Sequence, residues 1–349
     1  MKEIHRIDLP RIVLVGRRVI EELGNICQEI GLEGALVVTG RQTYKIAGKR
    51  ARSILEGSDI RAEVTHVTNA DMETVERVSK EAKAMGADTV IGVGGGRTID
   101  VAKLSAVKCG TFFVSVPTAA SHDGIASCLA SVKGLGRPYS VRARSPIAVV
   151  ADSHIIAESP YRFTASGCGD VISKAVAVRD WRLARDQKGE YYGEYAGSLA
   201  LMSSSLVMES ASQIRDHLEE GYRTLLEALV SCGVAMSIAG SSRPCSGSAH
   251  LFSHALDMIS PQSALHGEQC GIGAIMMAKL HGLDWAGIRD SLKVIGAPTT
   301  AAELGIPRET IIKALVKARE IRPERYTILN KVILTAEAAE SLAKACGVL

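Results

Sequence analysis

Three histidines and one aspartate in the second half of the chain are spaced for chemistry. His250 and His254, in S-A-H-L-F-S-H-A-L-D, are four residues apart, so a helix projects both imidazoles from one face. His266, in L-H-G-E, follows a connection carrying Pro261, and Asp170 precedes them in G-C-G-D. One carboxylate and two imidazoles are donors that suit zinc, with a fourth position left for substrate or water. The H-E-x-x-H protease pattern is absent, because residue 251 is Leu. Taken alone, an H-x-x-x-H pair also fits buried histidines that only satisfy backbone groups.

A second signal lies in D-T-V-I-G-V-G-G-G-R-T-I-D-V-A-K, Asp88 to Lys103. An apolar run enters a triple-glycine turn and a helical pattern leaves it. Glycines let the backbone approach a pyrophosphate, and the first helical N–H groups face the anion. The spacing is neither the Rossmann G-x-G-x-x-G nor a P-loop, so a tight strand-to-helix turn is the competing reading. A second loop, Val116-Pro117-Thr118-Ala119-Ala120-Ser121-His122-Asp123-Gly124, follows the next apolar run. In open α/β sheets ligands bind at the carboxyl ends of strands, where both loops fall. Its hydroxyls suit ribose and phosphate, and they equally suit a helix N-cap. Arg41, after the Ala35–Thr39 run, would reach the same edge, as a 2′-phosphate contact or as a solvated side chain.

The elements that must hold these loops are legible to about residue 150. Short apolar runs at Ile12–Gly16, Ala35–Thr39, Ala62–Val67, Thr89–Val93, Phe112–Val116 and Ile147–Val150 alternate with helical patterns. Runs without polar alternation imply strands buried on both faces, hence a parallel sheet covered by helices. From about Tyr161 onward, as in Ala196–Asp216 and Arg223–Ile238, Ala, Leu, Met, Ser and Glu recur at helical spacing and β-branched runs are scarce. Ser159-Pro160 supplies a breaker. The expectation is a Rossmann-like α/β domain, 1–158, and an all-α domain, 159–349.

Composition removes other classes. Lys+Arg 41 against Asp+Glu 38 leaves +3, and aromatics are 4%, so neither a nucleic-acid footprint nor a stacking platform is expected. Ala228–Ser242 is uncharged but too short and too rich in Ser, Cys and Gly to span a bilayer, and reads as a buried core helix. The N-terminus has no apolar signal core. The eight cysteines form no C-x-x-C pair, which fits reduced thiols in a cytosol better than a disulfide frame or a Cys-zinc site.

Taken together, GGGRTIDVAK, PTAASHDG, GCGD, SAHLFSHALD and LHGEQ occur in this order over most of the chain. The set resembles the family that holds glycerol dehydrogenases, iron-dependent alcohol dehydrogenases and dehydroquinate synthases. The resemblance implies a dehydroquinate synthase-like fold with metal and active site in the cleft between its two domains. PTAASHDGIAS and the Lys after GCGDVIS are most similar to the archaeal-type sn-glycerol-1-phosphate dehydrogenase branch. Iron-dependent alcohol dehydrogenases place a ligand His where Lys174 stands, and dehydroquinate synthases carry Glu where Asp170 stands. The implied zinc ligands are therefore Asp170, His250 and His266.

The resemblance further implies NAD(H) or NADP(H) on Gly94, Gly95, Gly96, Arg97, Thr98, Ile99 and Asp100, on Thr118, Ala119, Ala120 and Ser121, and on Ser127. Substrate contacts fall to Asp123, Asp170, Lys174 and His254. His254 is the candidate proton donor, Asp123 a positioning residue, and His122 an alternative relay. The implied reaction reduces dihydroxyacetone phosphate to sn-glycerol 1-phosphate for archaeal membrane ether lipids, in a cytoplasmic homo-oligomer. Either Lys174 or the basic run Lys133, Arg137, Arg142 and Arg144 would meet the substrate phosphate. No acidic residue ends the Ala35–Thr39 strand, so both dinucleotides are tolerated. The rivals are a glycerol dehydrogenase on unphosphorylated polyols, a dehydroquinate synthase-like lyase, and a nucleotide-binding regulator without chemistry.

Overall fold

The computed structural model describes residues 5, 7–134, 141–261 and 264–349, which divide into two compact units, 1–160 and 161–349. The first contains a six-stranded, fully parallel sheet: β1 Ile12–Gly16, β2 Gly34–Thr39, β3 Arg61–His66, β4 Thr89–Gly94, β5 Phe112–Pro117 and β8 Ala148–Asp152, in the order β1-β8-β5-β4-β2-β3. A two-stranded antiparallel ribbon, β6 Leu129–Ala130 with β7 Val141–Arg142, stands apart from it. Successive side chains of a strand point to opposite faces. Accordingly Val37, Ile91, Val93, Val114 and Val150 join one buried cluster, while Leu36, Val38, Val90 and Phe113 join another. Helices cover both faces, which is why the strands lack polar alternation.

The topology marks the ligand edge. From β2 the chain first steps outward to β3 and then crosses back to β4, so the strand order reverses between β2 and β4. Ligands of such sheets sit beyond the carboxyl ends at this switch point. The chain leaves β4 there through Gly94-Gly95-Gly96 into helix α1, Gly96–Cys109.

The second unit is helical throughout its described residues. Five of its helices matter here: α2 Tyr161–Ile172, α3 Lys174–Lys188, α4 Glu219–Ala239, α5 Ser248–Ile259 and α6 His266–His281. The expected helix Ala196–Asp216 is two, Glu194–Glu209 and Ala211–Arg215, with the break at Ser210, a residue type that competes for local backbone groups. Helix α4 is the one described helix long and apolar enough to cross a membrane by length and composition, and 67% of its most apolar window is buried. Leu225, Leu229, Cys232 and Met236 on it are interior residues.

Candidate functional site

The glycine loop has the form of an anion cradle. Gly95 is the N-cap of α1 and supplies no side chain to the first-turn N–H groups, and no acidic residue lies in that turn. A Cβ on Gly95 would meet no atom within 4 Å. A Cβ on Gly96 would lie 2.1 Å from Nε2 of His122. The His122 ring packs here, its Nδ1 accepting a hydrogen bond from Gly124 N at 2.9 Å. Thr118 N donates to Gly94 O at 3.0 Å, which sets the second loop beside the first.

The other residues implied at this site divide by exposure. Arg97 is exposed, Gly94, Thr98, Ile99, Asp100, Thr118, Ala119, Ala120 and Ser127 are buried, and Ser121 and Asp123 are half-buried. Asp100 accepts from Ser131 N at 3.1 Å, and the buried Lys103 donates to Gly124 O and Leu129 O at 2.9 and 2.6 Å. This pair ties down the segment after β5. Asp123 opens the turn Asp123–Ile125 in the same segment. Arg41, Lys133, Arg142 and Arg144 are exposed, and Arg137 lies outside the described residues.

In the helical unit, three helices bring Asp170, His250 and His266 to one point. Gly169 on α2 and Gly267 on α6 let two backbones touch. A Cβ on Gly267 would lie 1.8 Å from Ser166 O, and one on Gly169 would lie 2.3 Å from Gly267 O. A Cβ on Gly273 would lie 2.9 Å from Ala249 O of α5. Asp170 stands next to Gly169, and His266 next to Gly267. The same short motifs therefore supply both the donor atoms and the close approach that joins them.

Asp170 is fully buried. Its Oδ1 lies 3.3 Å from His250 Nε2 and 3.9 Å from His266 Nε2, and with Cys270 Sγ the donor atoms fall within 4.8 Å of one another. Two donors each about 2.1 Å from a tetrahedral zinc stand roughly 3.4 Å apart, so the set fits one ion. Burial acts to raise Asp170, but the Lys174 ammonium and both imidazoles outweigh it and hold the carboxyl well below its usual range. Burial first, then Lys174, push His250 down to about 4. Near neutral pH the carboxylate is charged and the imidazole neutral, the forms that bind metal.

Outer contacts set the orientation of His266. Gln269 Nε2 donates to Asp257 Oδ1 at 3.0 Å, which turns Gln269 Oε1 toward Ser253, whose Oγ donates to it at 2.6 Å. Having given its only proton to Gln269, Ser253 Oγ accepts from His266 Nδ1 at 3.1 Å. The Nε2 lone pair of His266 is thereby left to face Asp170. His266 is 32% exposed while Asp170 and His250 are buried, so the cluster is closed behind and open on the His266 side. His254 stacks on that ring at 5.9 Å between centroids. Burial, the two neighbouring imidazoles, and then Arg322 and Arg325 hold His254 well below the usual histidine range.

Lys174 starts α3, after a break at Ser173, whose Oγ donates to Asp170 O at 2.6 Å. Its fully buried ammonium donates to Asp170 Oδ1 at 2.6 Å. Sequence reasoning missed Cys270, although H-x-x-x-C at 266 and 270 carried the same i, i+4 signal as 250 and 254. It also missed Ser253 and Gln269, which no metal-ligand pattern marks.

Solved structures share this fold. A probable glycerol dehydrogenase from Sinorhizobium meliloti superposes with a TM-score of 0.79 at 23% identity, covering 98% of each chain. A glycerol dehydrogenase from Schizosaccharomyces pombe gives 0.82 at 20% identity, covering 99% of this chain and 91% of that one. The sequence model for iron-containing alcohol dehydrogenase matches residues 14–160. The fold is thus that of the glycerol dehydrogenase and iron-containing alcohol dehydrogenase group. Nearer in sequence, the glycerol-1-phosphate dehydrogenase [NAD(P)+] of Thermococcus kodakarensis is 54% identical over all of this chain and 99% of its own. That of Methanosarcina acetivorans is 52% identical over 98% of this chain and 96% of its own. The chain belongs to the family of these glycerol-1-phosphate dehydrogenases.

Proposed function

We propose that the protein is an NAD(P)H-dependent, zinc-dependent sn-glycerol-1-phosphate dehydrogenase that reduces dihydroxyacetone phosphate. The observation that carries this reading is the convergence of Asp170, His250 and His266 in a chain 54% identical, end to end, to a relative of that name. The dinucleotide would sit on Gly94 to Asp100, Thr118 to Ser121, and Ser127, with its pyrophosphate at the N-terminus of α1. Bound, the two groups supply a hydride and Lewis-acid polarisation of the carbonyl oxygen.

The chain's own residues do the rest. Asp170, His250 and His266 would hold the metal, and Lys174 balances the buried carboxylate. His254, kept neutral by burial and by the positive charges around it, presents a ring N–H to the reacting oxygen. Asp123 is assigned to positioning the substrate on the family likeness. The product would enter membrane glycerophospholipid synthesis, and the enzyme would work in the cytoplasm as a homo-oligomer.

A glycerol dehydrogenase acting on neutral polyols is the second reading, favoured by the fold neighbours. Rates with dihydroxyacetone phosphate and with dihydroxyacetone, together with chirality of the product, separate the two. A large preference for the phosphorylated triose and an sn-1 product are expected, and preference for the neutral triose would reject the proposal. In addition, Ser253→Ala should weaken zinc binding by about 10- to 100-fold in competition with a chelator, because His266 loses the partner that fixes its tautomer. Unchanged affinity would remove Ser253 from the site's support.

A further inference from the structure

Asp180 is a fully buried carboxylate outside the metal cluster, and it joins three elements to α3. Its Oδ2 accepts from Ser248 N and Ser248 Oγ at 2.5 and 2.6 Å, at the start of α5. Its Oδ1 accepts from Ile328 N at 2.8 Å, in the first residue of the helix Ile328–Lys331. The same oxygen accepts from Nε2 of His281, the last residue of α6, at 2.9 Å. Four donors on two oxygens match the lone-pair sites of a carboxylate. Gly247 permits the approach, since a Cβ there would lie 2.4 Å from Asp180 Oδ2 and 2.8 Å from Ala177 Cα.

The end of α5 that Asp180 holds is the end that carries His250. Gly247 is the N-cap of α5 and offers no side chain to the first turn. The Asp180 carboxylate stands in for the missing cap on Ser248 N, with the sign of charge that a helix N-terminus favours. Gly247 O accepts from His250 N at 3.1 Å, so His250 belongs to the turn pinned here. Histidines that ligate metals are aimed by a hydrogen bond at the other ring nitrogen, as Ser253 aims His266. His250 Nδ1 is buried and meets no such partner among the described residues. The direction of its ring therefore depends on where the backbone of α5 stands.

We propose that Asp180 is a positioning residue of the metal centre, which caps α5 from α3 and so fixes the place of His250 against Asp170. Lys174, on the same helix, donates to Asp170, so α3 addresses both ligands. The inference rests on the zinc reading of the site and deepens it, since it names what aims the ligand whose second ring nitrogen is not engaged.

Asp180→Asn tests it, because the amide nitrogen that replaces one oxygen faces donors rather than acceptors. Ser248→Ala is the milder variant and serves where Asp180→Asn does not fold: it removes one of the two bonds between Asp180 and α5. His281→Ala is the control, removing a bond to the same carboxylate away from α5. Zinc affinity, read by competition with a chelator, should fall about 10- to 100-fold in Asp180→Asn and about 10-fold in Ser248→Ala, and hold in His281→Ala. With cobalt(II) saturating the site in place of zinc, the visible bands that report ligand geometry should shift in the first two and not in the third. A merely structural role would lower the melting temperatures and leave the affinity and the bands of the folded protein as in the wild type. That result, or a Ser248→Ala protein that binds zinc normally, would overturn the proposal. A wild type that binds neither ion would reject the zinc reading itself, and the proposal with it.

Discussion

His266→Ala should leave the purified protein with little zinc and lower its turnover by about three orders of magnitude, since Lewis-acid stabilisation supplies several kcal/mol and each 1.36 kcal/mol is tenfold. The substitution removes the ligand on the open side of the cluster, where His266 is 32% exposed. It leaves Gly267 in place, so the contact between α2 and α6 survives and the metal-free variant should melt near the metal-free wild type. Any residual zinc would then rest on Asp170, His250 and Cys270, whose donor atoms stay within reach of one another. His266→Ala/Cys270→Ala should remove that remainder. Metal content measured by elemental analysis and turnover with dihydroxyacetone phosphate are the readouts. A single variant that keeps full zinc and full activity would reject the ligand set.

The parts of this molecule that were readable from sequence are those in which a local pattern has one physical meaning. Apolar runs such as Ala35–Thr39 and Thr89–Val93 had no polar alternation, and the parallel sheet with a buried cluster on each face accounts for it. The Gly94–Gly96 turn between a strand and a helix was equally local. The four-residue spacing of His250 and His254 placed both on one helix, but not what lay opposite. That Asp170 faces His250 depends on two helices meeting through glycines, a contact distant in sequence. Glycines in a helical pattern read as weak helix formers rather than as crossing points. Charge alone says less about Lys174, whose ammonium donates to Asp170 Oδ1, four residues earlier in the chain, at 2.6 Å.

The helix crossing itself makes the second large prediction. In Gly267→Ala the new methyl would begin 1.8 Å from Ser166 O and 2.5 Å from Ser166 C, backbone atoms that cannot rotate away. The two helices must separate, and overpacking of this kind costs about 3 kcal/mol. For a unit of this size that is a fall in melting temperature of about 10 °C. The separation also carries His266 away from Asp170, so zinc affinity should drop although no ligand has changed. Gly282→Ala provides the control on the same helix. Gly282 caps α6 with φ of +68° and nothing within 4 Å of its would-be Cβ, so its substitution costs about 1 kcal/mol of backbone strain and leaves the crossing intact. Zinc affinity should therefore fall in Gly267→Ala and hold in Gly282→Ala, read by chelator competition beside thermal melts. If Gly267→Ala loses stability but binds zinc as the wild type does, contact between these backbones is not what sets the distance from Asp170 to His266.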